Sequence, residues 1–203
     1  MPVISAITER RGIVEIAVDG SVAARVRKAH YDKRPLTEGD EIDLDAFIEE
    51  IAAIQYADGY EAALSALDYC NRSRKEVAAA LRRRGYVQPC VDAVIDRLTE
   101  NRILDDRRYA ERLAELQSKK PVGVYAFKRK LRAKGISEED AGEALSAFDD
   151  GQQQAAALEA AGRLYKKYAD LSRREGRAKL SQALARRGFG WDAIESAIDQ
   201  LFE

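Results

Sequence analysis

Apolar residues recur along most of the chain at the spacing of short amphipathic helices. Three times, a leucine is followed by a basic stretch, a glycine and a further apolar residue. The glycines are Gly85, Gly135 and Gly188, which lie 50 and 53 residues apart. A period of this length, seen three times, predicts a tandem array of one small folding unit. Such an array presents an extended surface rather than one deep pocket.

Each copy carries apolar residues at the same seven positions around its glycine. The four positions that follow at six, nine, ten and thirteen residues have the i, i+3, i+4, i+7 spacing of an amphipathic helix. The three sets are Val77, Leu81, Tyr86, Val91, Val94, Ile95 and Leu98; Phe127, Leu131, Ile136, Ala141, Ala144, Leu145 and Phe148; and Leu180, Leu184, Phe189, Ile194, Ala197, Ile198 and Leu201. The agreement at every position indicates a true repeat.

Local signals divide each unit into three helices. The glycine follows a basic last turn and precedes an apolar residue, which predicts a left-handed residue that ends a helix. Helix starts are indicated by Ser73 with Glu76, Pro89, Ser137 with Asp140, and Ser172 with Glu175. A further helix lies upstream in each unit, marked by Leu64 and Leu67, then Tyr109, Leu113 and Leu116, then Leu158, Ala161, Leu164 and Tyr165.

The first 56 residues have a different pattern. Residues 3–7, 13–18 and 22–26 are β-branched and apolar, and Asp19-Gly20 between two of these runs favours a type I′ hairpin turn. A further turn is expected near Gly39, a short strand at Ile42 and Leu44, and a helix over 46–54. The boundary with the repeats is placed near Asp58-Gly59.

These patterns together predict a mainly α fold. Three tandem three-helix repeats form an elongated curved array, preceded by a small N-terminal β-rich element. The expected divisions are 1–56 for the β-rich element and 57–104, 105–150 and 151–203 for the repeats. The chain of 203 residues is 46% hydrophobic and 34% charged, which suffices for several small cores. It has no long apolar run and no signal-like start, so a cytoplasmic protein without a membrane partner is expected.

Candidate chemistry is sparse. The chain has neither a phosphate-binding loop nor a dinucleotide-binding glycine motif, and no nucleophile–base pair is apparent. His30 is expected in a solvated loop or strand end, and Asp105-Asp106 is expected to cap the helix of Tyr109. Cys70 and Cys90 have no metal-ligand spacing, so both are interpreted as buried thiols. The sequence thus predicts neither an enzyme nor a cofactor or metal site.

Charge separates the two parts of the chain. Residues 1–59 hold 7 Lys and Arg against 12 Asp and Glu, a net charge of −5, whereas the whole chain has −1. Basic residues end a helix in every repeat, and the segment 119–130 adds five cations around Tyr125 and Phe127. Phe127 is core by register, whereas Tyr125 is expected to be exposed. The cations either oppose the helix dipole on a solvated face or contact an anionic or acidic partner.

Several segments resemble the bacterial RecX regulatory proteins. They are 103–110, Lys120-Pro121-Val122-Gly123 and 131–137 in the second repeat, and 66–69, Arg72-Ser73, Val77, Leu81 and Gly85-Tyr86 in the first. The resemblance covers about residues 60–203, in order and at family spacing. It implies a non-enzymatic protein, expected to be monomeric, that binds the RecA recombinase or its filament on DNA and restrains its ATPase, strand-exchange and co-protease activities.

The basic and aromatic positions of the first two repeats are the expected contacts for RecA or DNA. They are Arg72, Arg74, Lys75, Arg82, Arg83, Arg84, Arg107, Arg108, Tyr109, Tyr125, Lys128, Arg129, Lys130, Arg132 and Lys134. Tyr109 shares a stripe with Leu113 and Leu116, so a place in the core is the alternative for that residue. A nucleic-acid-binding module that acts directly on DNA is the alternative function. A general helical scaffold of the tetratricopeptide kind is disfavoured, because those repeats run near 34 residues.

Overall fold

A small antiparallel sheet is followed by a series of helices. The computed structural model describes residues 1–118 and 120–202, so Lys119 of the expected basic segment lies outside the described residues. The chain divides into two units, Met1–Asp105 and Asp106–Glu203. No helix in the described ranges is both long and apolar enough to cross a membrane.

The first unit contains the sheet and the helices of the first repeat. Its elements are β1 (Ile4–Arg10), β2 (Ile13–Val18), β3 (Ser21–Arg27), α1 (Lys28–Tyr31), α2 (Leu44–Tyr69), α3 (Arg74–Arg83) and α4 (Gln88–Glu100). The second unit contains two further sets of three helices. They are α5 (Asp106–Ser118), α6 (Val124–Ala133), α7 (Glu138–Ser146), α8 (Asp150–Tyr165), α9 (Arg173–Arg186) and α10 (Trp191–Phe202). The predicted fold class, mainly α with a small N-terminal sheet, is confirmed.

The three strands pair in the order β1-β2-β3. Asp19 and Gly20 have φ values of 49° and 82°, as a type I′ turn requires. The expected strand at Ile42 and Leu44 is wrong: Glu41 forms an isolated bridge with Val3, and Leu44 begins α2. The physical reason is the N-cap at Asp43, whose carboxylate accepts a hydrogen bond from the Ala46 amide at 3.1 Å.

Helix α2 runs without interruption through Asp58-Gly59, where the sequence suggested a boundary. Gly59 allows a close approach instead, because a Cβ there would lie 3.1 Å from the Cys90 Sγ and 3.3 Å from the Tyr86 ring. The sheet and the first repeat share one core, in which Ile16 and Val26 belong to the same buried cluster as residues of α2, α3 and α4. The division of the chain at residues 56, 104 and 150 stays a prediction.

The second unit has a separate core for each set of helices. Phe127 and Leu131 lie in the first, where the rings of Phe127 and Phe148 stack at 4.8 Å. Leu180, Leu184 and Ile194 lie in the second. All seven repeat positions are buried in each copy except Ile95, Leu145 and Leu201, which are half-buried.

Backbone geometry confirms the role predicted for the repeat glycines. Gly85, Gly135 and Gly188 have φ values of 81°, 78° and 84°. Each follows the basic end of a helix, α3, α6 or α9, in the left-handed conformation that a Cβ disfavours. The predicted serine caps are also confirmed: Ser73 forms a full capping box with Glu76, and Ser137 and Ser172 accept amide hydrogen bonds at the starts of α7 and α9.

The turn between α9 and α10 docks on the start of α6. The Gly123 amide donates to the Arg187 carbonyl at 3.1 Å, and the Tyr125 amide donates to the Gly188 carbonyl at 3.0 Å. The Val124 amide donates to Oε1 of Gln153 at 2.8 Å. Helix α6 has no capping side chain at Gly123, so its free amides are satisfied by the next repeat.

Candidate partner-binding surface

Three consecutive arginines form an exposed basic group in the first repeat. Arg82, Arg83 and Arg84 end α3 and are all exposed. Arg82 donates from Nη1 to Oε1 of Gln88 at 3.2 Å, a neutral partner. Within the described residues, none of the three has a carboxylate at ion-pair distance. Their charge is therefore available to a partner.

The cations at the start of α3 differ from one another. Arg72 is half-buried, and its Nε donates to the Ala66 carbonyl at 3.1 Å. This bond ties the loop to the end of α2, which gives Arg72 a structural role. Arg74 is half-buried as well, whereas Lys75 is exposed on α3.

The first turn of α5 carries Arg107 and Arg108, both exposed. Arg107 pairs with Glu111 at 3.5 Å and with Glu143 of α7. The hydrogen bond from Arg107 holds the pKa of Glu143 below its usual range. The charge of Arg107 is thus compensated inside the repeat, and its contact joins α5 to α7.

Tyr109 is half-buried and packs against the core of the second repeat. The Nζ of Lys134, at the end of α6, lies 5.2 Å from the centroid of its ring. Such a cation over a ring is stabilising by about 0.5–1 kcal/mol at exposed sites. The structure therefore brings these two predicted residues together, as a contact between α5 and α6 within the repeat.

The exposed side of α6 presents an aromatic ring among cations. Tyr125 is 53% exposed, as expected, and the Nζ of Lys128 lies 5.7 Å from its ring centroid. Lys130 donates to Oε1 of Gln117 at 3.2 Å. Arg132 pairs with Glu138 at 3.2 Å, so its charge is partly compensated.

Docking of the third repeat extends this side of α6. Arg129 donates from Nη2 to the Arg186 carbonyl at 3.5 Å. A Cβ at Gly190 would lie 3.6 Å from the Tyr125 ring, and the next residue, Trp191, is 67% exposed. We call this area, Tyr125, Lys128, Arg129, Arg186, Arg187 and Trp191, the α6 surface.

Trp191 is absent from the residues that the sequence pointed to. Aligning the three repeats on their glycines would have indicated that Trp191 is exposed. Three residues after the repeat glycine stand Gln88, Glu138 and Trp191. The position is polar in the other two copies, so a tryptophan there is expected on the surface.

The sequence also missed a polar cluster in the first unit. The Asp58 Oδ2 accepts hydrogen bonds from Tyr86 at 2.5 Å and from Arg27 at 2.7 Å, and the His30 Nε2 lies 3.3 Å away. His30 is buried in the short helix α1, so the expectation of a solvated position was wrong. The sequence pattern gave no sign that Asp58 on α2 and Tyr86 after α3 would enclose it.

Burial and contacts change the acidity of this cluster. Burial lowers the pKa of His30, which favours the neutral ring. The Tyr86 hydrogen bond lowers the pKa of Asp58, and burial raises the pKa of Tyr86 to about 12. The cluster is thus a charged carboxylate held by an arginine and a phenol, which joins β3, α1, α2 and the α3–α4 turn.

The remaining candidate positions carry little chemistry. Cys90 is buried, and burial raises the pKa of its thiol to about 11. Cys70 is exposed after the end of α2, which corrects the expectation that both thiols are buried. Helix α5 begins at Asp106, directly after Asp105, where a cap was predicted. In residues 1–118 and 120–202, no three side chains of His, Cys, Asp and Glu are arranged to hold a metal ion.

Comparison with known proteins identifies the family. Family models described as the first, second and third three-helix domains of RecX match residues 60–98, 105–145 and 150–198. The regulatory protein RecX of Bacillus licheniformis is 33% identical, over 98% of this chain and 78% of its own. That of Bacillus subtilis is 34% identical, over 99% and 78%. A crystal structure of regulatory protein RecX aligns with a TM-score of 0.69 at 26% identity, over 98% of this chain and 100% of its own. The chain therefore belongs to the RecX family of regulatory proteins.

Proposed function

We propose that this protein is a non-enzymatic regulator that binds the RecA recombinase, as a filament on DNA or as a monomer. It mainly inhibits the ATPase, strand-exchange and co-protease activities of the recombinase. It acts in the cytoplasm as a monomer without a cofactor, and so regulates DNA repair, recombination and the SOS response. Membership of the RecX family is the observation that carries this proposal.

The uncompensated cations supply a physical means of binding. Arg82, Arg83 and Arg84 lack carboxylate partners among the described residues, and the α6 surface adds cations in the second unit. A nucleoprotein filament offers both acidic side chains and phosphates at a regular spacing. Several weak contacts on one chain raise the effective concentration of the remaining ones, so binding is strong although each pair is weak.

A filament bound in this way loses activity by steric and energetic routes. A protein that touches neighbouring recombinase subunits blocks the entry of a second duplex. If it binds one state of the filament better than the other, it also shifts the equilibrium toward the favoured state. Contacts between exposed charges weaken in salt, since the Debye length is about 10 Å at 0.1 M.

A pull-down with purified RecA tests the proposal directly. The recombinase is immobilised alone, with single-stranded DNA, and with DNA plus nucleotide, and single-stranded DNA is immobilised without recombinase for comparison. We expect capture of the regulator in the presence of filament at moderate salt. Capture that depends on DNA alone and is unchanged by adding recombinase would refute protein-directed regulation.

A direct nucleic-acid-binding role is the second candidate, and the α6 surface favours it. Tyr125 and Trp191 are 53% and 67% exposed beside cations. Base stacking on such rings contributes about 1–3 kcal/mol per base. This function requires a steep fall of DNA affinity with salt, with a slope of roughly 0.7 per phosphate contact on single strands. Quenching of the Trp191 fluorescence by an oligonucleotide, without recombinase, measures it.

A further inference from the structure

A groove in the first unit runs between strand β3 and the turn that joins α3 to α4. Its volume is about 790 Å³. Val22, Ala23 and Ala24 line one side, and Ile48, Val87 and Pro89 supply further apolar surface. The charged residues among the lining are all arginines, namely Arg25, Arg82 and Arg83. The groove is thus an apolar channel with a cationic rim.

The backbone of β3 is open toward this groove. The two edges of the sheet are treated differently. At β1, the Ile4 amide donates to the Asp40 carbonyl, and the Ile4 carbonyl accepts from the Gly39 amide. A loop therefore covers that edge. At β3, hydrogen bonds from the described part of the chain cover only the far end, where the Arg27 amide donates to the Gly85 carbonyl at 3.1 Å. An uncovered strand edge is a ready template for a further strand.

Strand periodicity shows which backbone groups face the groove. The Arg27 amide points away from β2, since it bonds to Gly85. Residues two apart on a strand direct their N–H and C=O groups to the same edge. No bulge separates Arg25 from Arg27, because both pair in register with β2, at Glu15 and Ile13. The amide and carbonyl of Arg25 therefore point into the groove.

Charge indicates what kind of strand fits there. The Arg25 side chain already pairs with Glu15 at 2.5 Å. Arg82 has only the neutral Gln88 as partner, and Arg83 has no carboxylate at ion-pair distance in the described residues. Both arginines line the groove together with residues of β3. An occupant with carboxylates on one side would neutralise both.

We propose that this groove binds an extended acidic peptide segment of a partner protein, which adds to the β3 edge as a fourth strand. Backbone hydrogen bonds to Arg25 align the segment, and its carboxylates face Arg82 and Arg83. A second copy of this chain fits poorly, because its own β3 strand (Ser21–Arg27) has no carboxylate to face Arg82 and Arg83. A nucleic-acid strand finds no stacking surface, since Tyr86 in the lining is 2% exposed.

Fluorescence anisotropy with a synthetic peptide tests the proposal without any recombinase, so its outcome is independent of the proposed function. The probe is a labelled peptide of about six residues, the length of a typical strand, in which Glu alternates with Val. Two comparison peptides carry Lys in place of Glu, or N-methyl groups at alternate amides. We expect binding of the acidic peptide only, since the first change reverses the charge and the second removes the strand hydrogen bonds.

Matched variants locate the site on the full chain. Arg82→Glu with Arg83→Glu reverses two exposed charges, and Val22→Asp places a carboxylate on the apolar side. Each exposed pair changes affinity by a few-fold, and reversal turns attraction into repulsion, so we expect about tenfold weaker binding from the double variant. The control is Arg173→Glu with Arg174→Glu, two exposed arginines at the start of α9 that do not line the groove, which should leave affinity within about twofold.

The proposal is overturned by equal binding of the N-methylated peptide, by equal loss of affinity in the control variant, or by the absence of binding by the acidic peptide at about millimolar concentration. Self-association in size-exclusion chromatography that Val22→Asp abolishes would assign the groove to a second copy instead. Displacement of the acidic peptide by the Lys peptide at equal concentration would also contradict it.

Discussion

The contact between Gly123 and Gly188 makes a sharp prediction about stability. Gly188 has a φ of 84°, and a Cβ there would overlap the backbone of Ala126. Gly123 has an ordinary φ of −76°, but a Cβ there would overlap the Gly188 carbonyl group. Gly39 has a φ of 90°, and a Cβ there would have no heavy atom within 4 Å. The three positions thus separate the cost of the left-handed backbone from the cost of the close approach.

The expected losses of unfolding free energy follow from these differences. Gly39→Ala introduces only left-handed strain, about 1–2 kcal/mol. Gly123→Ala pushes the α9–α10 turn away from α6 and weakens two backbone hydrogen bonds, at about 1 kcal/mol each. They are the bond from the Gly123 amide to the Arg187 carbonyl at 3.1 Å and the bond from the Tyr125 amide to the Gly188 carbonyl at 3.0 Å. We therefore expect about 2–3 kcal/mol for Gly123→Ala. Gly188→Ala combines both costs, about 3–5 kcal/mol.

Urea unfolding followed by far-ultraviolet circular dichroism measures these values. Hydrogen exchange at the Tyr125 amide adds a local readout, since its partner is the Gly188 carbonyl. Protection there should fall in the Gly123 and Gly188 variants and persist in Gly39→Ala. The reasoning fails if Gly123→Ala is as stable as the wild type, or if the Gly188 and Gly39 variants lose the same amount.

Three further predictions concern the first unit. Burial lowers the pKa of His30 from its ordinary value of 6.5. As the pH falls below that value, the unfolded chain takes up a proton before the folded chain does, so the stability of the fold declines. In thermal unfolding, His30→Gln should flatten this decline between about pH 7 and 5, and an unchanged slope would contradict the prediction. The side chain of buried Gln55 donates to the Gly85 carbonyl at 2.9 Å and accepts from the Val87 amide at 2.8 Å. Gln55→Ala should therefore lower the free energy of unfolding, measured in urea, by at least about 2 kcal/mol. The control Gln154→Ala, at an exposed position, should lower it by less than about 0.5 kcal/mol. A thiol reagent should label the native protein at one cysteine and should hardly label the Cys70→Ala variant. The reason is that Cys90 is buried and its pKa is raised to about 11. Rapid labelling of both cysteines would contradict this packing.

The repeat could be predicted from sequence because its signals are local. Periodic apolar positions, serine caps and left-handed glycines each depend on neighbours within one unit, and all three copies agreed. The continuity of helix α2 through Asp58-Gly59 was missed for the opposite reason. Gly59 suggests a break when seen alone, but the nearby Cys90 Sγ and Tyr86 ring explain its place inside α2. Such a close approach is a tertiary contact, which a local sequence pattern does not reveal.

The candidate surface was predictable only in part. Exposure of Tyr125 follows from register and was confirmed, and the structure shows Arg82–Arg84 to be exposed as well. Arg72 and Arg107 also lie in basic stretches of the sequence, but both have partners within the fold. Arg72 donates to the Ala66 carbonyl, and Arg107 pairs with Glu143. Charge type and position do not reveal such partners.

The binding roles of the basic groups stay a proposal, and inhibition of the RecA ATPase on single-stranded DNA tests that proposal most directly. Two triple Glu variants are titrated, at Arg82–Arg84 and at Lys128–Lys130, beside a control with Glu at exposed Arg10, Arg11 and Lys33. We predict that each test variant requires at least about tenfold more protein for half inhibition, with an unchanged helical spectrum, and that the control inhibits normally. Full inhibition by both folded test variants would contradict the account.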